Sequence, residues 1–143
     1  MPYRYVDDVS IADVAFEATG KTLEELFVAS GNALMNTQVK DLSVISTKKT
    51  AKFVVEADDQ ERLLHNFLQE LIFLKDAKLL LFKDYDIKIE RKKDKFKLNA
   101  NLAGELIDPK KHELLVDVKA VSWHMFKVEK TMDGWMAFVI LDV

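Results

Sequence analysis

Apolar residues recur at helical spacing in two segments of the chain, and each segment follows a residue that can cap a helix. Thr22 with Glu25 three residues later forms a capping-box pattern and predicts a helix from Leu23 to Met35 or Asn36. Asp58 or Asp59 precedes the second segment, which is predicted to end near positions 75–76. The apolar faces are Leu23, Leu26, Phe27, Ala33 and Leu34 in the first helix, and Leu63, Leu64, Phe67, Leu68, Leu71, Ile72 and Leu74 in the second.

Elsewhere apolar and polar residues alternate, which is the period of two that is typical of strands. The alternation predicts strands at positions 3–6, 11–19, 47–57, 85–91, 96–102 and 114–123, with a short apolar run at 79–82 and an interruption at 104–105. Asp133-Gly134 is a hairpin signal, and the apolar stretch after it predicts a buried strand over 134–143. This order predicts an α+β fold with a largely antiparallel sheet and two helices, in a single compact domain over residues 1–143.

The composition narrows the classes of function. The 143 residues include no cysteine, which excludes disulfide scaffolds, thiolate zinc sites and cysteine nucleophiles. The four glycines are widely separated and form neither a phosphate-binding (Walker) loop nor a dinucleotide-binding glycine motif. The net charge of −3 argues against direct nucleic-acid binding over a broad surface. With no apolar signal segment and no apolar stretch of membrane-spanning length, we expect a cytoplasmic protein with no membrane partner.

Two aspartates are the best candidates for chemistry. Asp13 lies among small and apolar residues, and Asp142 is followed directly by Val143 and its carboxylate. If the strands that carry them are antiparallel neighbours, three anionic oxygen groups come together, a set that suits Ca²⁺ or Mg²⁺. The alternative is that the two aspartates are unrelated surface residues.

Four basic or titratable residues are weaker candidates for a functional role than the two aspartates. Lys119 lies in the predicted strand 114–123 and either pairs with one of these carboxylates or faces solvent. The three histidines, His65, His112 and His124, are interpreted as structural or solvated, because lone histidines are mostly not ligands.

Several short motifs together resemble the archease family, and the resemblance covers nearly the whole chain. The motifs are Gly20-Lys21-Thr22-Leu23-Glu24-Glu25, Leu64-His65-Asn66-Phe67-Leu68-Gln69-Glu70-Leu71, Gly104-Glu105 with Asp108-Pro109 and His112-Glu113-Leu114, Val118-Lys119-Ala120-Val121-Ser122-Trp123-His124, and Trp135 with Val139-Ile140-Leu141-Asp142-Val143. No single motif is specific, but their order, their spacing and their common end at the C-terminus are.

The resemblance implies a small α+β protein that is not an enzyme. It implies a protein cofactor that assists a GTP-dependent, RtcB-type tRNA-splicing RNA ligase by promoting its guanylylation and repeated turnover. It also implies a divalent cation, typically Ca²⁺ with Mg²⁺ or Mn²⁺ as alternatives, bound by Asp13, Asp142 and Val143. Lys119 matches a family lysine that matters for activity. An alternative function for the family is a chaperone-like modulator of a tRNA methyltransferase.

The chain departs from the family pattern before Asp13. The family usually has an acidic residue, a histidine and a threonine there, whereas this chain has Asp8-Val9-Ser10-Ile11. Asp8 or Ser10 could substitute, and any ligand from the missing residues is in doubt. An independent metal hydrolase is disfavoured, because the chain offers no convincing general base beside the proposed metal.

Overall fold

Two antiparallel sheets and two helices share one hydrophobic core. The computed structural model describes residues 2–7 and 13–143, and this part of the chain contains seven strands. The sheets have the strand orders β1-β2-β7-β6 and β3-β5-β4, and every pairing is antiparallel. These observations confirm the predicted α+β class. The elements are β1 Tyr3–Val6, β2 Asp13–Gly20, α1 Leu23–Gln38, β3 Lys49–Ala57, α2 Gln60–Lys78, β4 Leu80–Lys92, β5 Lys95–Leu106, β6 Ala120–Lys130 and β7 Trp135–Asp142.

The two helices begin where the sequence predicts. Thr22 Oγ1 accepts a hydrogen bond from the Glu25 N–H at 3.1 Å, and Glu25 Oε2 accepts one from the Thr22 N–H at 3.1 Å, which completes the capping box. Asp59, rather than Asp58, caps α2 by accepting the Arg62 N–H at 2.7 Å. No helix in the described part of the chain is both long and apolar enough to cross a membrane.

Both helices run two to three residues beyond their predicted ends. Buried Thr37 extends α1 because its hydroxyl donates to the Ala33 carbonyl at 2.8 Å, so this polar residue is satisfied inside the helix. In α2 residues 76–78 are exposed, and the helix stops only where Leu79 adopts a left-handed conformation with φ 57°. The apolar pattern therefore underestimates the length of both helices.

One long strand replaces two predicted segments. The apolar run at 79–82 and the strand at 85–91 are both parts of β4, which a bulge between Phe82 and Asp84 bends without ending it. The sequence predicts an interruption at Gly104-Glu105, but β5 continues through these residues to Leu106. The irregularity lies instead on β4, the strand that pairs with β5. Gly104 lies opposite this bulge, and a Cβ there would be 1.7 Å from the Leu81 carbonyl oxygen. A glycine is required at this point because the two backbones approach so closely.

The predicted strand at 114–123 is largely wrong. Leu114 forms one isolated bridge with Val39, and β6 starts only at Ala120. The backbone between them bonds to helices instead: the Leu115 N–H donates to the Gln38 carbonyl at 2.8 Å, and Lys75 Nζ donates to the Val118 carbonyl at 2.6 Å. The alternation of apolar and polar residues predicts a strand here, but the backbone groups of Leu115 and Val118 form their hydrogen bonds with helix residues rather than with a neighbouring strand.

The closing strand β7 lies inside the four-stranded sheet, between β2 and β6. Its core face carries Val139 and Leu141, which are fully buried opposite Phe16 and Val14. Asp142 projects from the other face, since successive strand residues point to opposite sides. The first two residues of the predicted strand 11–19 lie outside the described part of the chain, and its remainder forms β2.

Candidate functional site

Asp13 and Asp142 lie directly opposite each other in the β2–β7 pairing. Opposite residues of an antiparallel pair share one face of the sheet, with Cβ atoms about 4.5–5.5 Å apart. Both side chains are half-buried. Two carboxylates in this position repel each other unless a cation or a hydrogen-bond donor lies between them.

The carboxylate oxygens of this pair are of the chemical type that a hard divalent cation prefers as ligands. Within residues 2–7 and 13–143, neither carboxylate accepts a side-chain hydrogen bond or forms an ion pair. Val143 follows Asp142 directly, and its side chain packs against the core. The same described residues contain no group of three or more His, Asp or Glu side chains with metal-binding geometry. A cation here would therefore need the Val143 carboxylate, water or a partner group to complete its oxygen ligands.

Lys119 lies beside the aspartate pair, although it is not in a strand as predicted. Its N–H donates to the Asp142 carbonyl at 2.8 Å, and Asp142 is also the register partner of Ala120. The segment before it is held by Lys75, a buried lysine whose ammonium donates to Asp117 Oδ1 and to the Val118 carbonyl. The Lys119 backbone is thus fixed next to Asp142, while its side chain is exposed.

Side chains of α2 cover the outer edge of β6. Gln69 Oε1 accepts the Val121 N–H at 2.6 Å, His65 Nε2 donates to the Val121 carbonyl at 2.9 Å, and Glu61 accepts the Val128 N–H at 3.1 Å. Burial lowers the pKa of His65, against a smaller opposing effect of the Val121 carbonyl. His65 therefore serves the fold as a neutral ring, in agreement with its structural interpretation.

A bulge in β6 presents apolar side chains to solvent. The β6–β7 register shifts between Ser122 and Lys127, so four residues loop out of the ladder. Trp123 is 55% exposed and stacks on His65 with ring centroids 3.8 Å apart, and Met125 is 61% exposed with φ 56°. The alternation that predicts a strand over 114–123 does not reveal this bulge or the exposed side chains on it.

Glu105 joins three segments of the chain through its carboxylate. It accepts the Ser46 hydroxyl at 2.7 Å, His112 Nε2–H at 2.7 Å and the Lys111 ammonium at 2.8 Å. His112 Nδ1 accepts the Asp108 N–H at 2.9 Å, so Nε2 is the ring nitrogen that donates to Glu105. The bonds from Lys111, Ser46 and His112 hold the pKa of Glu105 well below its usual range. His112 is thus structural, as interpreted from the sequence.

Glu105→Gln is expected to lower the free energy of unfolding by about 2 kcal/mol at pH 7, because charge-assisted hydrogen bonds are lost. The folded pKa of Glu105 is lower than its unfolded value of 4.5, so its contribution is complete above that pH and declines below it. Urea denaturation at pH 7 and pH 3 should therefore show a smaller difference between wild type and variant at pH 3. Glu113→Gln, which breaks only an exposed contact of 3.5 Å with Lys40, is the control. An equal difference at both pH values would contradict the prediction.

Comparison with known proteins assigns the chain to a family. The sequence model of the Archease protein family matches residues 3–143. The chain belongs to the archease family. An archease of Pyrococcus abyssi is 40% identical over 133 residues, which cover 92% of this chain and 93% of the relative. An archease of Methanopyrus kandleri is 31% identical over 143 residues, the full length of both chains.

Solved structures show the same fold. Protein 1598 of Methanobacterium thermoautotrophicum, determined in solution, has a TM-score of 0.86 and 32% identity over 99% of each chain. A crystal structure of an archease from Thermotoga maritima, described as a possible chaperone, has a TM-score of 0.62 over 96% of each chain. At 20% identity the Thermotoga protein supports the fold alone. The family resemblance found in the sequence is confirmed.

Proposed function

We propose that this archease-family protein is a non-catalytic protein cofactor that activates a GTP-dependent, RtcB-type tRNA-splicing ligase in the cytoplasm. It promotes guanylylation of the ligase and thereby its repeated turnover. The observation that carries the proposal is the direct opposition of Asp13 and Asp142, with Lys119 fixed beside them. This cluster offers both anionic ligands for a metal and a cation for a partner at one end of a sheet.

The proposed metal ligands are the carboxylates of Asp13 and Asp142 and the α-carboxylate of Val143. When bound, a divalent cation, Ca²⁺ or alternatively Mg²⁺ or Mn²⁺, supplies positive charge that neutralises the pair and attracts phosphate oxygens. The backbone pairing of β2 with β7 fixes the spacing of the two aspartates, so little rearrangement is needed to bind the ion.

In the proposed mechanism this end of the sheet docks at the nucleotide pocket of the ligase. The rigid sheet presents the carboxylates, and the exposed Lys119 ammonium contacts an anionic group of the ligase or its nucleotide. The activator positions charge and performs no bond-making step of its own. The ligase itself supplies the nucleophile for guanylylation.

The test is the rate of ligase–guanylate formation from purified ligase, GTP and Mn²⁺, with and without this protein. We expect clear stimulation, reduced about tenfold in Lys119→Met, which corresponds to the loss of about 1.4 kcal/mol. Lys52→Met, an exposed lysine on the outer face of β3, is the control and should leave stimulation unchanged. A ligase that guanylylates equally fast without the protein would overturn the proposal.

A second candidate function is a chaperone-like modulator of a tRNA methyltransferase. The exposed Trp123 and Met125 of the β6 bulge favour it, because apolar surface of this kind can cover apolar patches of a client. This function predicts a stable complex with the methyltransferase and suppression of its aggregation, both independent of Asp13 and Asp142.

A further inference from the structure

We infer that a groove at the end of β7 far from Asp142 binds an extended, basic segment of a protein partner as an added strand on β4. The groove has a volume of about 890 Å³ and lies between α1, β4 and the turn that joins β6 to β7. Trp135, in its wall, begins the eight-residue β7 that Asp142 ends, so the two sites are about 24 Å apart. This inference goes beyond the proposed activation, because it concerns a different surface.

The edge of β4 offers backbone hydrogen-bonding groups to the groove. β4 is an outer strand of the sheet β3-β5-β4, and the Ile89 N–H points away from β5, since it donates to Glu24 Oε2 at 3.4 Å. The β4–β5 register is unbroken from Asp84 to Lys92. Alternate residues of a strand direct their N–H and C=O groups to the same side. The backbone groups of Tyr85 and Ile87 therefore also point away from β5, and both residues line the groove.

These groups have no partner within the described residues. None of the hydrogen bonds between residues 2–7 and 13–143 joins the Tyr85 or Ile87 backbone to α1 or to the β6–β7 turn. The edge of β6 differs, because Gln69, His65 and Glu61 of α2 occupy it. Proteins usually cover or charge an exposed edge, and an uncovered one accepts a peptide strand.

The walls of the groove indicate which peptide would fit. Val28, Ala29 and the Trp135 ring form an apolar side. Four acidic residues and one basic residue also line the groove, so its rim is negative. A strand with apolar residues on one face and lysine or arginine on the other matches both properties. The charged lining residues are Glu24, Glu25, Asp86, Asp133 and Lys21.

The probe is an eight-residue peptide of alternating valine and lysine with blocked ends, titrated into the ¹⁵N-labelled protein without ligase or metal. We expect shifts of the Tyr85 and Ile87 amide signals, and hydrogen exchange at Ile87 slowed at least tenfold by saturating peptide. Asp86→Lys should weaken binding at least fivefold. Glu90→Lys, the same charge change on the same face of β4 but outside the groove, should change it less than twofold.

A second peptide, N-methylated at every residue so that neither of its edges keeps an N–H donor, separates strand addition from simple charge attraction. It keeps the charge and apolar side chains but cannot complete the edge hydrogen bonds, and it should not bind. Equal binding of the two peptides, or signal shifts confined to other surfaces, would overturn the inference. So would a β4-to-β4 dimer of the free protein in sedimentation, because the occupant would then be a second copy. None of these results depends on ligase activation, so this inference and the proposed function can fail separately.

Discussion

Asp142→Ala is expected to reduce the affinity for Ca²⁺ by roughly 100-fold, or about 2.8 kcal/mol, and to abolish the stimulation of ligase guanylylation. Asp142 contributes one of the two opposed carboxylates, and without it only Asp13 and the Val143 α-carboxylate remain of the three proposed anionic ligands. The metal-free variant should be at least as stable as the metal-free wild type, because the repulsion between the two carboxylates is removed. Loss of stimulation would then not reflect unfolding.

Calorimetric titration with CaCl₂ measures the affinity, and urea denaturation in a chelator measures the stability of the metal-free proteins. Asp133→Ala, an exposed aspartate in the turn before β7, is the matched control and should bind Ca²⁺ like the wild type. A tag fused after Val143 should weaken binding more than a tag at the N-terminus, because it moves the α-carboxylate. Wild-type Ca²⁺ affinity in both Asp13→Ala and Asp142→Ala would rule out this site.

Gly104→Ala is expected to lower the free energy of unfolding by roughly 3 kcal/mol or more, the largest effect on stability that we predict. The new Cβ would be 1.7 Å from the Leu81 carbonyl oxygen and 2.8 Å from the Phe82 Cα. Both are backbone atoms next to the β4 bulge, so no side-chain rotation relieves the clash. The strands β4 and β5 would have to separate at this point.

Gly31→Ala is the control, because its new Cβ would meet the Tyr85 side chain at 2.8 Å rather than backbone. A side chain can shift, and alanine also favours the helix, so the loss should be clearly smaller. Urea denaturation at pH 7 measures both variants. A Gly104→Ala protein within 1 kcal/mol of the wild type would show that the bulge can rearrange freely.

Local signals explain what the sequence predicted correctly. Thr22, Glu25 and Asp59 determine the helix starts through contacts within four residues, so their effect is visible in the sequence alone. The strand predicted over 114–119 was wrong because the hydrogen-bond partners of this segment, Gln38 and Lys75, are distant in sequence. The continuity of β4 was missed because a bulge breaks the alternation of apolar residues without breaking the strand.

The candidate site was only partly predictable for the same reason. Asp13 and Asp142 could be named as candidates from their apolar surroundings in the sequence. Whether they lie opposite each other depends on the pairing of β2 with β7, which the sequence does not determine. The groove at Tyr85 and Trp135 left no signal, because fifty residues separate its walls and its hydrogen-bonding groups belong to the backbone. Side-chain chemistry is visible in a sequence, whereas an uncovered strand edge is not.

The pairing of β2 with β7 has a consequence for how the protein folds. The register that opposes Asp13 and Asp142 closes a loop containing both helices and every other strand except β1. Contacts between such distant residues carry a large closure entropy and slow the folding of β-rich domains. The two aspartates therefore meet only when the sheet closes, and an incompletely folded chain lacks the paired carboxylates.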